Sequence, residues 1–331
     1  MIRIAVLGAG GIAKKMSETL VGMVRRNPSC LCMYAVASRD LEKARAMAEE
    51  YGYEKAYGSY EDMLGDKNVD LVYIATPHSH HLAHIKLCAA YGKHMLCEKS
   101  FTMNALQARE ACELAEKKGL LLAEAIWTRY MPSRKAISDL LKDGVIGEPH
   151  CLIANLCYNI QDVERIRKPE LAGGALLDVG VYPLNFASMV FGDEILSVES
   201  SVKMLPTGVD GEESVTLHYK DGKTAYLLSS ACCYGDRQGV IMGETGYLKV
   251  DNINNPLQII IQPNPRVNTP PTIINLPEQI SGYEYEVEAC LRAIEAGRTQ
   301  CPEMPHAQTI RIMEQMDGLR RQWGMTYPGE A

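Results

Sequence analysis

No C-x-x-C pair occurs in this sequence, although it holds eleven cysteines. A chain of 331 residues is also too long to need a disulfide framework for a core. Most of the cysteines, such as Cys30, Cys32, Cys88 and Cys151, sit inside apolar runs, so free thiols in a reducing cytosol are expected. The chain lacks any apolar stretch that approaches a membrane span. It also lacks a signal-peptide n-region or cleavage site, and its first strand begins at residue 2, so the written N-terminus is expected to be the mature one. Internal repeats and low-complexity segments are missing. An excess of positive charge is missing too: 34 Lys and Arg stand against 41 Asp and Glu, a net charge of −7, which argues against nucleic-acid or anionic-membrane partners. What is present is ordinary globular composition, 47% hydrophobic and 23% charged, enough for two domains.

The opening "IRIAVLGAGGIAKK" is an apolar strand, Ile2 to Leu7, running through a G-x-G-x-x-A loop into a helical pattern. Gly8 permits a tight turn, Gly10 lets the backbone approach a pyrophosphate, and Ala13 allows close helix–strand packing. Gly11 and Ile12 complete the loop where the helix N-terminus faces phosphate charge. Strands at 31–38, 69–77, 93–99 and 120–126 alternate with helices closed by Gly52, Gly92 and Gly119. That pattern predicts an α/β fold with a parallel Rossmann sheet over residues 1–124, covered on both faces, with ligands beyond the carboxyl ends of the strands. Gly8, Ser38, Thr76, Lys99 and Trp127 lie at those ends. After the second strand stand Ser38 and Arg39, suited to a 2′-phosphate, with Asp40 only behind them. NADP is therefore expected, with NAD possible should Asp40 reach the ribose; the alternative is that Ser38 caps the helix and Arg39 is solvated. His78, His80, His81 and His84 crowd the third strand's end without the glutamate of H-E-x-x-H, so no metal is expected and the cluster reads as polar groups at a helix start beside the cofactor.

Beyond Trp127 the alternation stops. Residues 125–331 carry a helix at 133–147, strands at 149–158, 196–205, 213–219, 223–232, 239–243, 246–250 and 257–262, and helices near 282–296 and 304–323. Short turns such as "KDGK" predict a large, mostly antiparallel open sheet with helices on one face. Its other face needs cover, and self-association into a homodimer or homotetramer is one solution. The last helix is a candidate to pack back on the first domain. Within "GGALLDVGVYPL", Asp178 and Tyr182 are i,i+4 and share a face if helical; the residues alone favour an N-cap and a core tyrosine.

Taken together, "VLGAGGIA", "ASRD", "ATPHSHH", "GKHMLCEK" and "GGALLDVGVYPL" resemble the Gfo/Idh/MocA (glucose–fructose oxidoreductase / inositol dehydrogenase) family over nearly the whole chain. With "AIWTRYMP" and Tyr182, the likeness is greatest to its dihydrodiol and xylose dehydrogenase branch. The resemblance implies an NAD(P)-dependent oxidoreductase that transfers hydride to or from a carbinol carbon of a small sugar, polyol or cyclic trans-diol. It implies Lys99 as the amine placed by the nicotinamide and the reacting hydroxyl, so both catalytic and cofactor-binding, Glu98 as its neighbour on the cofactor side, and Asp178 and Tyr182 as an acid/base pair. Thr76, Pro77 and His81 would line the nicotinamide ribose, and Trp127, Arg129 and Tyr158 the substrate pocket. Some relatives of this fold act instead as cofactor-binding sensors or scaffolds; retention of Lys99, Asp178 and Tyr182 argues for the enzyme. The family's lysine is followed by Pro, which fixes the backbone, where this chain has Ser100.

Overall fold

The computed structural model describes residues 1–264 and 266–330. Two compact units emerge: Met1–Tyr130 with Gln279–Glu314, and Met131–Glu278 with the segment from Gln315 onward. The division thus falls after Tyr130 rather than after residue 124, and the segment that returns to the first unit is larger than a single terminal helix.

In the first unit, β1 (Ile2–Leu7), β2 (Leu31–Ala37), β3 (Lys55–Tyr57), β4 (Leu71–Ile74), β5 (His94–Glu98) and β6 (Leu122–Ala125) form one parallel sheet in the order β3-β2-β1-β4-β5-β6. Helices cover both faces, which explains why β4 and β1 from Ile4 onward are buried runs of apolar residues without polar alternation. β3 is the one strand of this sheet missed from sequence. The helix Leu41–Tyr51 starts on Asp40, whose side chain accepts from Glu42 and Lys43 N–H, and stops at Gly52 in the left-handed region. The returning segment is tied in by polar bonds: Leu122 N–H donates to Thr299 O, and the His306 ring bonds Leu122 O through Nε2 and Glu116 through Nδ1.

The second unit is built on eight strands: β7 (Pro149–Cys157), β8 (Ile195–Met204), β9 (Asp210–Tyr219), β10 (Thr224–Ser230), β11 (Gly239–Gly243), β12 (Gly246–Val250), β13 (Gln258–Pro263) and β14 (Thr272–Asn275). Their order is β14-β13-β12-β11-β7-β10-β9-β8, antiparallel except where β7 and β10 run parallel. The helix Val181–Phe191 packs against β7 and β10, so Ala225 and Leu227 are buried while Tyr226 and Leu228 remain 47% and 42% exposed on the opposite face. One segment departs from the sequence expectation about spans. Pro169–Phe191 is long and apolar enough by composition to cross a membrane, but 83% of its most apolar window is buried inside the protein, as in a core helix.

Candidate active site

At the carboxyl ends of β1, β2 and β4, a cleft of about 350 Å³ is lined by Gly8, Ala9, Gly10, Ser38, Arg39, Lys43, Tyr60, Ala75, Thr76, Pro77, His80 and His84. The β1 turn is tight: Gly8 has φ +116°, and a Cβ there would stand 2.6 Å from Ala75 O. Side chains at Gly10 and Gly11 would meet no protein atom within 4 Å. Gly10 is the N-cap of the helix Gly11–Arg26 and offers no side-chain cap, leaving first-turn N–H groups for an anionic ligand. The bare backbone, the helix terminus and the positive charge of Arg39 and Lys43 fit a dinucleotide. Gly11 and Ile12 begin the helix beside the cleft without lining it.

No carboxylate appears among the lining residues. Asp40 is engaged as the helix cap at 3.1 and 3.3 Å from Glu42 and Lys43 N–H, and Ser38 Oγ accepts from Asp40 N–H at 3.2 Å. The capping role considered for Ser38 thus belongs to Asp40. Burial, then the neighbouring histidines and Arg39, push the His84 imidazole down to about 4; burial and Arg39 lower His80 as well. Both rings are therefore neutral at pH 7 and leave the cleft's charge to Arg39 and Lys43. His84 Nδ1 meets Thr76 Oγ1 at 2.9 Å, and its ring lies edge-on to Tyr60. His80 and His84 line the cleft, as expected of polar groups at a helix start beside the cofactor; Lys43 and Tyr60 were missed from sequence, although Lys43 was detectable, being four residues beyond Arg39. No group of three His, Cys, Asp or Glu suited to a metal occurs among the described residues.

His81 is fully buried rather than set on the cleft wall. Its Nε2 lies 2.7 Å from Thr76 O, and its Nδ1 lies 3.0 and 3.1 Å from the carbonyls of Ser100 and Phe101. It therefore clasps the β4 loop to the loop that follows Lys99. Burial favours its neutral form, and the three carbonyls oppose that by favouring N–H on both nitrogens. The Lys99–Ser100 peptide is cis, and Ser100 is fully buried. Glu98, set on the cofactor side from sequence, instead turns inward: it is 5% exposed, accepts from Tyr73 O–H, and shares a polar interior with Glu124 and Glu286. Burial raises Glu124 to about 7 and Glu286 well above the carboxylate range. Trp127 stacks on Tyr283 at 4.3 Å between ring centroids, and Arg129 is buried near Glu124. Neither Glu98 nor Lys99 lines the cleft at Gly8.

In the second unit Asp178 stands in a π-helical turn, Leu176–Gly180, and Tyr182 in the first turn of the helix Val181–Phe191. The i,i+4 spacing therefore runs through a widened turn rather than a regular α-helix, a local form that recurs at functional sites. Asp178 is not an N-cap. It is 6% exposed and accepts from Arg165 Nη1 at 2.7 Å, a partner with no signal in the sequence. Tyr182 is 7% exposed. The Tyr158 hydroxyl is approached by Arg237 Nη1 and Asn254 Nδ2 at 3.5 and 3.4 Å, with the Arg237 guanidinium 5.7 Å from its ring centroid.

Residues 2–125 match the oxidoreductase family with an NAD-binding Rossmann fold, and residues 135–249 match the GFO/IDH/MocA C-terminal domain. The chain is 31% identical over 330 residues to trans-1,2-dihydrobenzene-1,2-diol dehydrogenase of Mus musculus, covering 99% of this chain and 98% of that one. The enzyme of the same name from Xenopus tropicalis is 34% identical over 89% and 90% of the two chains. Among solved structures, a 3-ketoreductase from Actinomadura kijaniata in complex with NADP and TDP-benzene is similar, with a TM-score of 0.85 at 25% identity over 97% of each chain. The fold, the glycine cleft and these full-length likenesses agree, and the chain belongs to the GFO/IDH/MocA family of NAD(P)-binding oxidoreductases.

Proposed function

We propose that this protein is an NADP(H)-dependent dehydrogenase of small polyols, aldoses or cyclic trans-diols. The observation that carries the cofactor choice is the cleft beyond β2, where Ser38, Arg39 and Lys43 gather and no carboxylate lines the wall. A ribose 2′-hydroxyl calls for an acidic acceptor there, and a 2′-phosphate calls for cations. The substrate class is supported by the full-length likeness to dihydrodiol dehydrogenases.

The nicotinamide dinucleotide, when bound, supplies hydride exchange with a carbinol or carbonyl carbon. Gly8, Gly10 and the N-terminus of the helix Gly11–Arg26 hold its pyrophosphate; Ser38, Arg39 and Lys43 hold the 2′-phosphate; Thr76 and Pro77 border the ribose. Lys99 holds the substrate oxygen and stabilises its developing negative charge. Tyr182 exchanges the hydroxyl proton, as base in oxidation and acid in reduction, with Asp178 as its acid/base partner, held by Arg165. Tyr158, Trp127 and Arg129 shape the substrate side.

Titration of cofactor binding tests the reading before any substrate is known. NADPH is expected to bind at least about tenfold more tightly than NADH. Arg39→Ala should weaken NADPH by about 10–100-fold, the worth of one charge-assisted bond, and leave NADH within about threefold. Equal affinities in the wild type would reject the NADP assignment. Turnover against a panel of aldoses, inositols and trans-diols then separates enzyme from sensor, since tight binding with no turnover on any of them favours the sensor.

The open face of the second sheet supports a homodimer or homotetramer. One cross-strand row runs Ile273, Ile260, Lys249, Val240, Ile153 and Tyr226, five of the six being apolar or aromatic. Light scattering on the wild type is expected to give a dimeric or tetrameric mass, and Ile153→Asp with Tyr226→Asp a folded monomer. A monomeric wild type rejects this assembly. The free thiols of all eleven cysteines support a cytoplasmic protein.

A further inference from the structure

Two buried carboxyls lie beneath the turn that carries Asp178. In a regular strand, residues 210 and 213 point to opposite faces. Here the β8–β9 register slips, with Lys203 opposite Glu212 but Met204 opposite Asp210, so Gly211 is an extra residue. The bulge turns Asp210 to the buried side, where Glu213 already is; the two are 0% and 1% exposed. β9 and β10 both pack on the π-helical turn. Asp210 Oδ2 accepts from Leu176 N–H, at the start of that turn. The carboxyls press against glycines: a Cβ at Gly174, where φ is +107°, would stand 2.1 Å from Asp210 Oδ1, and one at Gly180 2.6 Å from Glu213 Oε1. The Tyr327 hydroxyl, donating to Gly173 O at 2.6 Å, closes the assembly from the C-terminal segment.

We propose that Asp210 and Glu213 are positioning residues for the reaction proposed above, acting together under residues 174–180 to set the turn that presents Asp178 and starts the helix of Tyr182. The claim rests on that functional reading. Among the described residues no donor is aligned on Asp210 Oδ1 or either Glu213 oxygen; the neighbouring Ser229 hydroxyl favours ionised Glu213 but is outweighed by burial and the Asp210 charge, and two ionised carboxylates buried this way would be unstable. A proton held within the pair removes the conflict. Burial raises Asp210 to about 6 against the pull of Leu176 and Ala175 N–H and of Arg320; burial and then the Asp210 charge raise Glu213 well above its ordinary range. The other titratable groups facing the pair are Glu212 on the same strand, Cys157 and Cys232, and Arg320 and Tyr327 from the C-terminal segment, Arg320 being held by Asp317 and Glu330.

The sign follows from linkage. The folded state holds protons that unfolded carboxyls release near their ordinary values, so the pair's contribution is complete at low pH. It is lost as pH rises through about 6 for Asp210 and higher for Glu213. In the wild type, hydrogen exchange of residues 175–182, corrected for intrinsic rates, is expected to rise at least about tenfold between pH 6 and pH 9, with kcat/KM falling over the same range. Glu213→Gln, neutral at every pH, should hold that rise below about threefold and move the alkaline loss of kcat/KM up by at least one pH unit. Glu213→Leu, which removes the polar group, should exchange faster than Glu213→Gln at every pH. Identical pH dependence in wild type and Glu213→Gln, or protection in Glu213→Leu equal to wild type, overturns the proposal. Exchange needs neither cofactor nor substrate, so a wild type without turnover counts against the dehydrogenase reading while the exchange series still decides this one.

Discussion

Lys99→Met is expected to lower kcat/KM by about 10²–10³-fold or more while leaving NADPH affinity within about threefold of wild type. Methionine keeps the length and apolar stem of the side chain and removes the one charge assigned to the substrate oxygen. Loss of a single preorganised donor to a developing oxyanion has an effect of that size. Cofactor affinity is spared because Lys99 does not line the cleft at Gly8, Ser38 and Thr76. The loop after Lys99 is held by His81, through the carbonyls of Ser100 and Phe101. Single-turnover hydride transfer measured beside cofactor titration checks both halves. Near-normal transfer in the variant would remove Lys99 from the chemistry, and a matching loss of NADPH binding would make it a cofactor residue instead.

The parts of the fold legible in the sequence are those with strictly local causes. β1, β2, β4, β5 and β6 are largely buried on both faces and therefore mostly apolar, with Arg3, His94, Glu98 and Glu124 as the exceptions, and Gly52 and Gly119 stop helices by taking the left-handed conformation. β3, with three residues, and β14, with four, are short edge strands whose pairing depends on a neighbour rather than on their own pattern. The return of 279–314 to the first unit was not foreseen beyond a single helix, because an amphipathic pattern states that one face is covered and not by what. The candidate site divides in the same way. The glycine loop and Arg39 are contiguous with a strand end and so could be found. Arg165 on Asp178 and the bulge at Gly211 depend on pairings between distant segments. The inward turn of Glu98 depends on Tyr73, in the adjacent strand.

The glycine loop gives the second large effect, because its members fail in different ways. Gly8→Ala must place a side chain at φ +116°, with its Cβ 2.6 Å from a main-chain oxygen, Ala75 O, and 3.2 Å from Ala75 C. Neither atom is the tip of a flexible side chain, so the ends of β1 and β4 must separate. Strain of that kind is worth about 1–3 kcal/mol before the contact is counted, and a Tm loss of roughly 5–15 °C is expected for a unit of this size. Gly10→Ala is different. Its φ of −87° suits any residue and its Cβ meets no protein atom, so Tm should stay within about 2 °C of wild type. That Cβ enters the space from which the backbone would approach a pyrophosphate, so NADPH affinity should fall at least about tenfold. Gly11→Ala gains helix propensity at the first helical position and is expected to melt no lower than wild type. Melting curves and cofactor titrations of the three variants separate a glycine needed by the turn from one needed by the ligand. Wild-type affinity in Gly10→Ala would place the pyrophosphate elsewhere, and a wild-type Tm in Gly8→Ala would mean that the β1–β4 contact yields more easily than its backbone geometry allows.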